Sequence, residues 1–410
     1  MDISLSSIRM ELPGPQPDTS DGKRDTPTPK PTETKSKTII GSNDGKATDF
    51  MAMLTLALSH ETPWIHLESS TGIRTSISKG ATFAPRYSFC LGTGAFSFVE
   101  MHALTERQML RGKTYRPGHL VALKRYPLAM DARDDGYNVR PECYDFIRNE
   151  LRVATCLKEA HENICQLLFL GWEDHTPVPV LGFEFAHYGT VKDVLRSPDF
   201  TKIPNLGLRL MVDTARGLDA LHKRGIVHGD VKPGNILVFY HPDPQRQVVA
   251  KLADFSGSIV KSRQQRGEWS PVGGTHVWRA PECYGSTAYD VVKTDIYSFG
   301  LTALTILVRA TSRGGVLSSP LEGVGECFLA RVPKGVDVVE FATGLKCAKE
   351  DLVLKHALSW AGSFLNNPDL SGFMEWVLRA TVRIDPENRL PMGEIAERAA
   401  KELGTSGDNG

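Results

Sequence analysis

His228-Gly229-Asp230-Val231-Lys232-Pro233-Gly234-Asn235-Ile236-Leu237, followed nineteen residues after Asn235 by Asp254-Phe255, is the stretch whose reading decides the fold. It sets two carboxylates, an amide and a lysine on two neighbouring loops. Carboxylate and amide oxygens suit a hard divalent cation. A lysine and a second carboxylate beside them suit a phosphate chain held against a hydroxyl. Residues 206–224 lead into this stretch with Leu208, Met211, Ala215 and Leu218 at helical spacing, which predicts a buried helix and hence a rigid base for the loop.

Upstream, Leu91-Gly92-Thr93-Gly94-Ala95-Phe96-Ser97-Phe98-Val99 places two glycines where backbone amides can approach an anion with no Cβ in the way. Val121-Ala122-Leu123-Lys124 reads as a buried strand, so its lysine needs a charged partner. Glu150, in Arg148-Asn149-Glu150-Leu151, sits on a helical pattern and is the expected partner. Glu142 is the weaker choice because Pro141 and its charged surroundings read as loop. Pro179 to Gly189 reads as a buried strand that ends at a glycine. Downstream come Gly274-Thr275-His276-Val277-Trp278-Arg279-Ala280-Pro281-Glu282, then Asp295 within Lys293 to Gly300, then Asp385-Pro386-Glu387-Asn388-Arg389.

In this order the segments resemble the eukaryotic protein kinase family, serine/threonine type, over roughly residues 83–403. The resemblance implies an α+β, two-lobed protein-kinase-like fold, with a small β-rich N-lobe (83–186) and a larger helical C-lobe (187–403). It implies transfer of the γ-phosphate of ATP, with Mg2+, to a Ser or Thr hydroxyl of a protein substrate. Asp230 would accept the hydroxyl proton, Lys232 would neutralise charge on the phosphate, and Asn235 and Asp254 would hold the metal. Lys124, fixed by Glu150, would bind the α- and β-phosphates. Gly92, Thr93, Gly94, Val99, Ala122 and Leu237 would line the nucleotide. Its adenine edge would meet the backbone of Glu184 and Ala186, with Phe183 behind the base. Thr275 would contact Asp230 and Lys232, Arg389 would pair with Glu282, and Asp295 would begin the central C-lobe helix.

Three positions depart from the family pattern. Gly229 stands where many relatives carry an arginine that grips an activation-loop phosphate, so switching by loop phosphorylation is not expected. Replacing Ser262, Ser270 and Thr275 in turn is therefore expected to cause loss only at Thr275. Ser256 replaces a glycine and restricts the flip of Phe255, and Ser97 replaces the third glycine of the phosphate loop. These departures motivate a second reading, a catalytically weak pseudokinase serving as a nucleotide-binding or protein-interaction module. Retention of Lys124, Asp230, Asn235 and Asp254 together favours the enzyme.

The chain has 410 residues, with 48 Lys and Arg against 48 Asp and Glu, so bulk charge gives no reason to expect nucleic acid as a partner. Seven cysteines without metal-type spacing are expected to be reduced thiols of a cytoplasmic or nuclear protein. Met1 to Leu5 lacks the pattern of a secretory signal, and apolar runs such as Leu301–Val308 are shorter than a bilayer span, so no membrane is expected. Residues 1–48, poor in large apolar groups, read as a disordered tail, and 49–82 as an extension whose short helix carries Phe50, Met53, Leu54 and Ala57. Residues 404–410 read as a disordered end, and the polar stretches 108–118 and 131–140 as exposed insertions in the N-lobe.

Overall fold

Strand β6 (Leu120–Arg125) organises the N-terminal half, because its side chains alternate between two covered faces. Val121 and Leu123 point into one apolar cluster with Leu104, Leu110, Leu168 and Phe169. Ala122 and Lys124 take the opposite face. Around it the computed structural model builds a six-stranded sheet in the order β1-β9-β10-β6-β3-β2. These strands are β1 (Trp64–His66), β2 (Phe89–Thr93), β3 (Phe98–Ala103), β9 (Leu167–Trp172) and β10 (Val180–Glu184). The structure describes residues 64–66, 89–94, 96–126, 128–130, 137–139, 141–157, 159–172, 178–197, 200, 203–261, 274–285, 289–311, 343–344, 346, 350–365 and 367–405, all within one unit, Gly45–Gly410. The tail 1–48, the helix expected at 49–59, and Ser262 and Ser270 lie outside the described residues.

Four expectations change in the N-terminal half. Trp64–His66, placed by sequence in an extension, pairs parallel with β9 and so belongs to the sheet. The 108–118 insertion is a hairpin of β4 (Gln108–Leu110) and β5 (Lys113–Tyr115), closed by Arg111 and Gly112 with φ of 48° and 71°. It is exposed on one side only: Met109 is 73% exposed and Leu110 1%, so the hairpin caps a core. The second insertion, 131–140, contains a strand, β8 (Tyr137–Val139), which pairs with β7 (Leu128–Met130) just before it. Helix α1 spans Pro141–Cys156, so Pro141 starts it rather than belonging to a loop, as its fixed φ and missing N–H allow at the first helical position. Its Ile147 and Leu151 pack with Leu167, Leu170 and Leu181 beneath the sheet.

The C-terminal half is helical, after the short α2 (Val191–Val194). Helix α3 (Leu206–Lys223) buries Leu208, Met211, Ala215 and Leu218, the positions its spacing marked. It shares one core with α4 (Val291–Thr311), α5 (Leu352–Phe364), α6 (Pro368–Thr381) and α7 (Met392–Thr405). Helix α7 carries residues 404 and 405, which the sequence reading placed in a disordered end. A Cβ at Gly300 would fall 2.0 Å from the Thr381 hydroxyl, so glycine lets α4 and α6 approach closely. Leu301–Val308 is part of a longer apolar stretch, Val291–Ala310, long and apolar enough to cross a membrane by length and composition; 89% of its most apolar window is buried inside the fold. Beside α3 lie two ribbons, β12 (Ile236–Tyr240) with β13 (Val248–Leu252) and β11 (Ile226–Val227) with β14 (Ile259–Val260). The described cysteines, Cys90, Cys143, Cys156, Cys165 and Cys283, are free thiols.

Candidate active site

The loop at 228–235 follows β11, whose pairing with β14 sets it beside residues 254–258. Its path is fixed by Asp295 near the start of α4, a carboxylate 1% exposed that accepts the amides of His228 at 2.7 Å and Gly229 at 2.9 Å and contacts His222 Nε2 at 2.9 Å. The buried His228 ring accepts the Asp230 amide at Nδ1 (3.3 Å) and donates from Nε2 to the Ala253 carbonyl (3.1 Å), which joins the two loops. Gly229 has φ of 81°, a region L side chains rarely adopt. Glycine at the departure from the family pattern thus matches the local backbone.

Asp230 is held on both oxygens. Oδ1 accepts the amide and hydroxyl of Thr275 at 2.8 and 3.0 Å, while Oδ2 accepts Lys232 Nζ at 2.7 Å and Asn235 Nδ2 at 2.9 Å. Lys232 also donates to the Thr275 hydroxyl at 2.7 Å, so Thr275 touches both partners named for it. Burial opposes a charge on Asp230, but the Lys232 ammonium and the Thr275 amide outweigh it and hold the carboxyl below the usual aspartate range.

Lys124 reaches the same cleft from β6. Its Nζ lies 2.5 Å from Glu150 Oε1 and 2.7 Å from Asp254 Oδ1, with the lysine side chain 8% and Glu150 1% exposed. Burial opposes the ammonium charge, yet Glu150 and Asp254 hold its pKa well above the usual lysine range. Glu142 lies exposed in the first turn of α1. Asp254 takes the left-handed conformation, φ 65°. Burial opposes its charge too, but Lys124 and the Ser256 hydroxyl, 2.7 Å away, keep it well below the usual range. The backbone carbonyl of Ser256 also accepts the Asn149 side chain at 2.8 Å, a bond any residue at 256 could make, which ties the loop to α1.

Register gathers the remaining candidates. Val99, Lys124 and Leu181 are cross-strand partners, as are Met101, Ala122 and Phe183, so Val99, Ala122 and Lys124 share a sheet face. Phe183, Ala186, Leu237 and Ala253 pack together about Cys165 and Phe239. The Glu184 carboxylate turns aside to Lys251 at 2.8 Å and its amide donates to the Gln166 carbonyl. Gly92 pairs with Val99 and Thr93 with Phe98, and the Gly94 amide bonds the Ser97 carbonyl at 2.7 Å. A Cβ built at Gly92 meets no protein atom within 4 Å, so folding itself does not demand glycine there. The loop tip is anchored by Phe96, whose ring lies tilted against Phe146 of α1 with centroids 4.8 Å apart.

The oxygen donors fit magnesium. Asn235 commits its amide nitrogen to Asp230, leaving its side-chain oxygen to face a cation, and the Asp254 carboxylate is 44% exposed. Among the described residues no group of three or more His, Cys, Asp or Glu side chains forms a protein-only metal cage. One carboxylate and one amide suit an ion that completes its shell with water and phosphate oxygens.

At the far side Glu282 receives both terminal nitrogens of Arg389, at 2.5 and 2.8 Å. Sequence reasoning missed Lys346. It is 4% exposed and its three N–H groups reach the carbonyls of His276, Val277 and Arg279 at 2.6, 2.8 and 2.7 Å. No motif surrounds it, and its partners lie about 70 positions away in sequence, so no local signal marked it.

The model of the protein kinase domain matches residues 91–315, more than half of the 410, and the chain belongs to the protein kinase family. Among its relatives are PTI1-like tyrosine-protein kinase 1 of Arabidopsis thaliana, 30% identical over 47% of this chain and 52% of that protein. Serine/threonine-protein kinase STY46 of the same plant is 32% identical over 37% of this chain and 24% of that protein. A probable serine/threonine-protein kinase of Dictyostelium discoideum, roco7, is 32% identical over 43% of this chain and 6% of that protein. The chain thus spans about half of the first relative's length and far less of the others.

Proposed function

We propose that this chain is an active protein kinase that transfers the γ-phosphate of ATP, with Mg2+, to Ser or Thr hydroxyls of protein substrates. The observation that carries the reading is the meeting of Lys124, Glu150 and Asp254 in one buried ion-pair cluster, with Asp230 held by Lys232, Asn235 and Thr275. Phosphoryl transfer asks a protein chiefly for positioning and charge neutralisation, and these contacts gather the groups that would do both.

Asp230, kept ionised, accepts the acceptor hydroxyl's hydrogen bond and directs its oxygen. Lys232 lies between Asp230 and Thr275, where its ammonium offsets charge on the transferred group. Lys124, fixed by Glu150, grips the phosphate chain, and Asn235 and Asp254 offer the oxygens that hold the metal. When bound, magnesium neutralises phosphate charge. Gly92, Thr93, Gly94, Val99, Ala122 and Leu237 enclose the nucleotide, and the backbone of Glu184 and Ala186 orients its base.

The pseudokinase reading, a binding module without transfer, has less support, because Gly229 and Ser256 both stabilise the loops that carry Asp230 and Asp254. Relatives bear both tyrosine-kinase and serine/threonine-kinase names. The Ser/Thr assignment therefore rests on the Lys232–Thr275 contact. Phosphoamino-acid analysis of a labelled mixed protein substrate tests it: phosphoserine and phosphothreonine are expected, and label confined to phosphotyrosine would overturn it. We place the kinase domain at 83–403, with its activity in the cytoplasm or nucleus.

A further inference from the structure

The turn after Asp254 carries a hydroxyl to which the proposed chemistry gives no part. Ser256 Oγ donates to Asp254 Oδ1 at 2.7 Å, and among the described residues this is the hydroxyl's one bond. The same Oδ1 receives Lys124 Nζ at 2.7 Å, whereas no hydrogen bond among the described residues reaches Oδ2, on a side chain 44% exposed. Two donors on one oxygen fix the rotation of the carboxylate and leave Oδ2 as the open one. Lys124 does not serve Asp254 alone: its ammonium also binds Glu150 at 2.5 Å and is the group assigned to the phosphate chain. Ser256 therefore supplies the hold on Oδ1 for which a nucleotide does not compete. The backbone adds to this aim. Asp254 stands at φ 65°, a conformation that persists only where neighbours enforce it. The Ala253 amide bonds the Asn235 carbonyl at 2.9 Å and the Asn149 side chain bonds the Ser256 carbonyl at 2.8 Å, so the chain is pinned on both sides of Asp254. Ile236 pairs with Leu252, which sets Asn235 and Asp254 just past the same end of the β12–β13 ribbon.

We infer that Ser256 is a positioning residue for the metal: its hydroxyl holds Asp254 Oδ1 so that Oδ2 is presented, with the Asn235 side-chain oxygen, to the divalent cation bound with the nucleotide. The inference rests on the kinase reading above and deepens it by giving cation affinity to a side chain that stands where the family pattern has glycine. Glycine at 256 would leave Oδ1 to Lys124 alone. A donor behind a ligating carboxylate fixes its orientation, and removing such a donor weakens metal binding by about 10- to 100-fold.

The test titrates the full chain with the non-hydrolysable β,γ-imido analogue of ATP by calorimetry, once in excess Mg2+ and once in EDTA. Ser256→Ala removes only the hydroxyl, Ser256→Thr keeps it, and Ser256→Gly is a second deletion with a freer backbone; all three keep the main-chain carbonyl that Asn149 holds. In Mg2+ the Ala and Gly variants should bind the analogue about tenfold or more weakly than wild type, with Thr near wild type. In EDTA all four should bind alike. A weakening equal in Mg2+ and in EDTA would show a merely structural role, and an equal gain from Mg2+ in wild type and Ser256→Ala would show that the hydroxyl does not orient the ligand. Either result overturns the inference and leaves the kinase reading standing, as does Thr weakened as far as Ala. A wild type that binds the analogue no better in Mg2+ than in EDTA, or not at all, overturns the metal site and the inference with it. The readout does not depend on transfer, so the role of Ser256 is decided even where phosphate incorporation fails.

Discussion

Gly229 occupies a backbone conformation of φ 81° while its amide is held by Asp295, so any Cβ there is strained. Gly229→Ala should cost about 1–2 kcal/mol, lowering the melting temperature by a few degrees; an unchanged melt would mean the loop does not need glycine. Asp230 carries a pH prediction. Its folded pKa is depressed, so the stability it contributes is present above the unfolded value of about 3.9 and is lost as pH falls through the lower folded value. The rate of phosphoryl transfer should show no titration of Asp230 between about pH 5 and pH 8. An acid limb within that range that disappears in Asp230→Asn would contradict the account.

At the scale of elements, the segment 274–282 is held from two sides. Glu282 bonds Arg389, whose side chain is 0% exposed, and three carbonyls of the segment bond Lys346. Lys346→Met keeps the side-chain length but leaves those carbonyls without their donor, at a cost of about 1–3 kcal/mol for each one that stays buried. Because Thr275 belongs to the same segment and touches Asp230, the variant should raise KM for a protein substrate far more than KM for ATP. A selective rise in KM for ATP would show that the segment does not serve the acceptor side. Helix α1 acts likewise on the other wall of the cleft, since Glu150 and Asn149 fix Lys124 and the 254–256 loop from one turn.

For the whole molecule, what the sequence revealed depended on how local each signal was. Asp230, Lys232 and Asn235 stand within six consecutive positions, so one turn of chain chemistry displayed most of the catalytic loop. Lys124 was readable because a charge among Val121, Ala122 and Leu123 demanded a partner, and Glu150 answered from a helical pattern. Features created by distant packing were not readable. Leu110 looked like part of a polar loop until the hairpin laid it on Phe169 and Leu168, and Trp64–His66 becomes a strand only through β9. Lys346 has no periodic context, and its need for three carbonyls is visible only when the 276–279 backbone is brought to it.

The central claim is that the assembled cleft performs chemistry. Incorporation of labelled γ-phosphate from ATP and Mg2+ into a protein substrate, wild type against Asp230→Asn, tests it most directly. The account predicts incorporation by wild type and a loss of about 10²–10⁴-fold in the variant, with the variant still folded at the assay temperature. Equal incorporation by the two proteins, or none by a folded wild type, would contradict it.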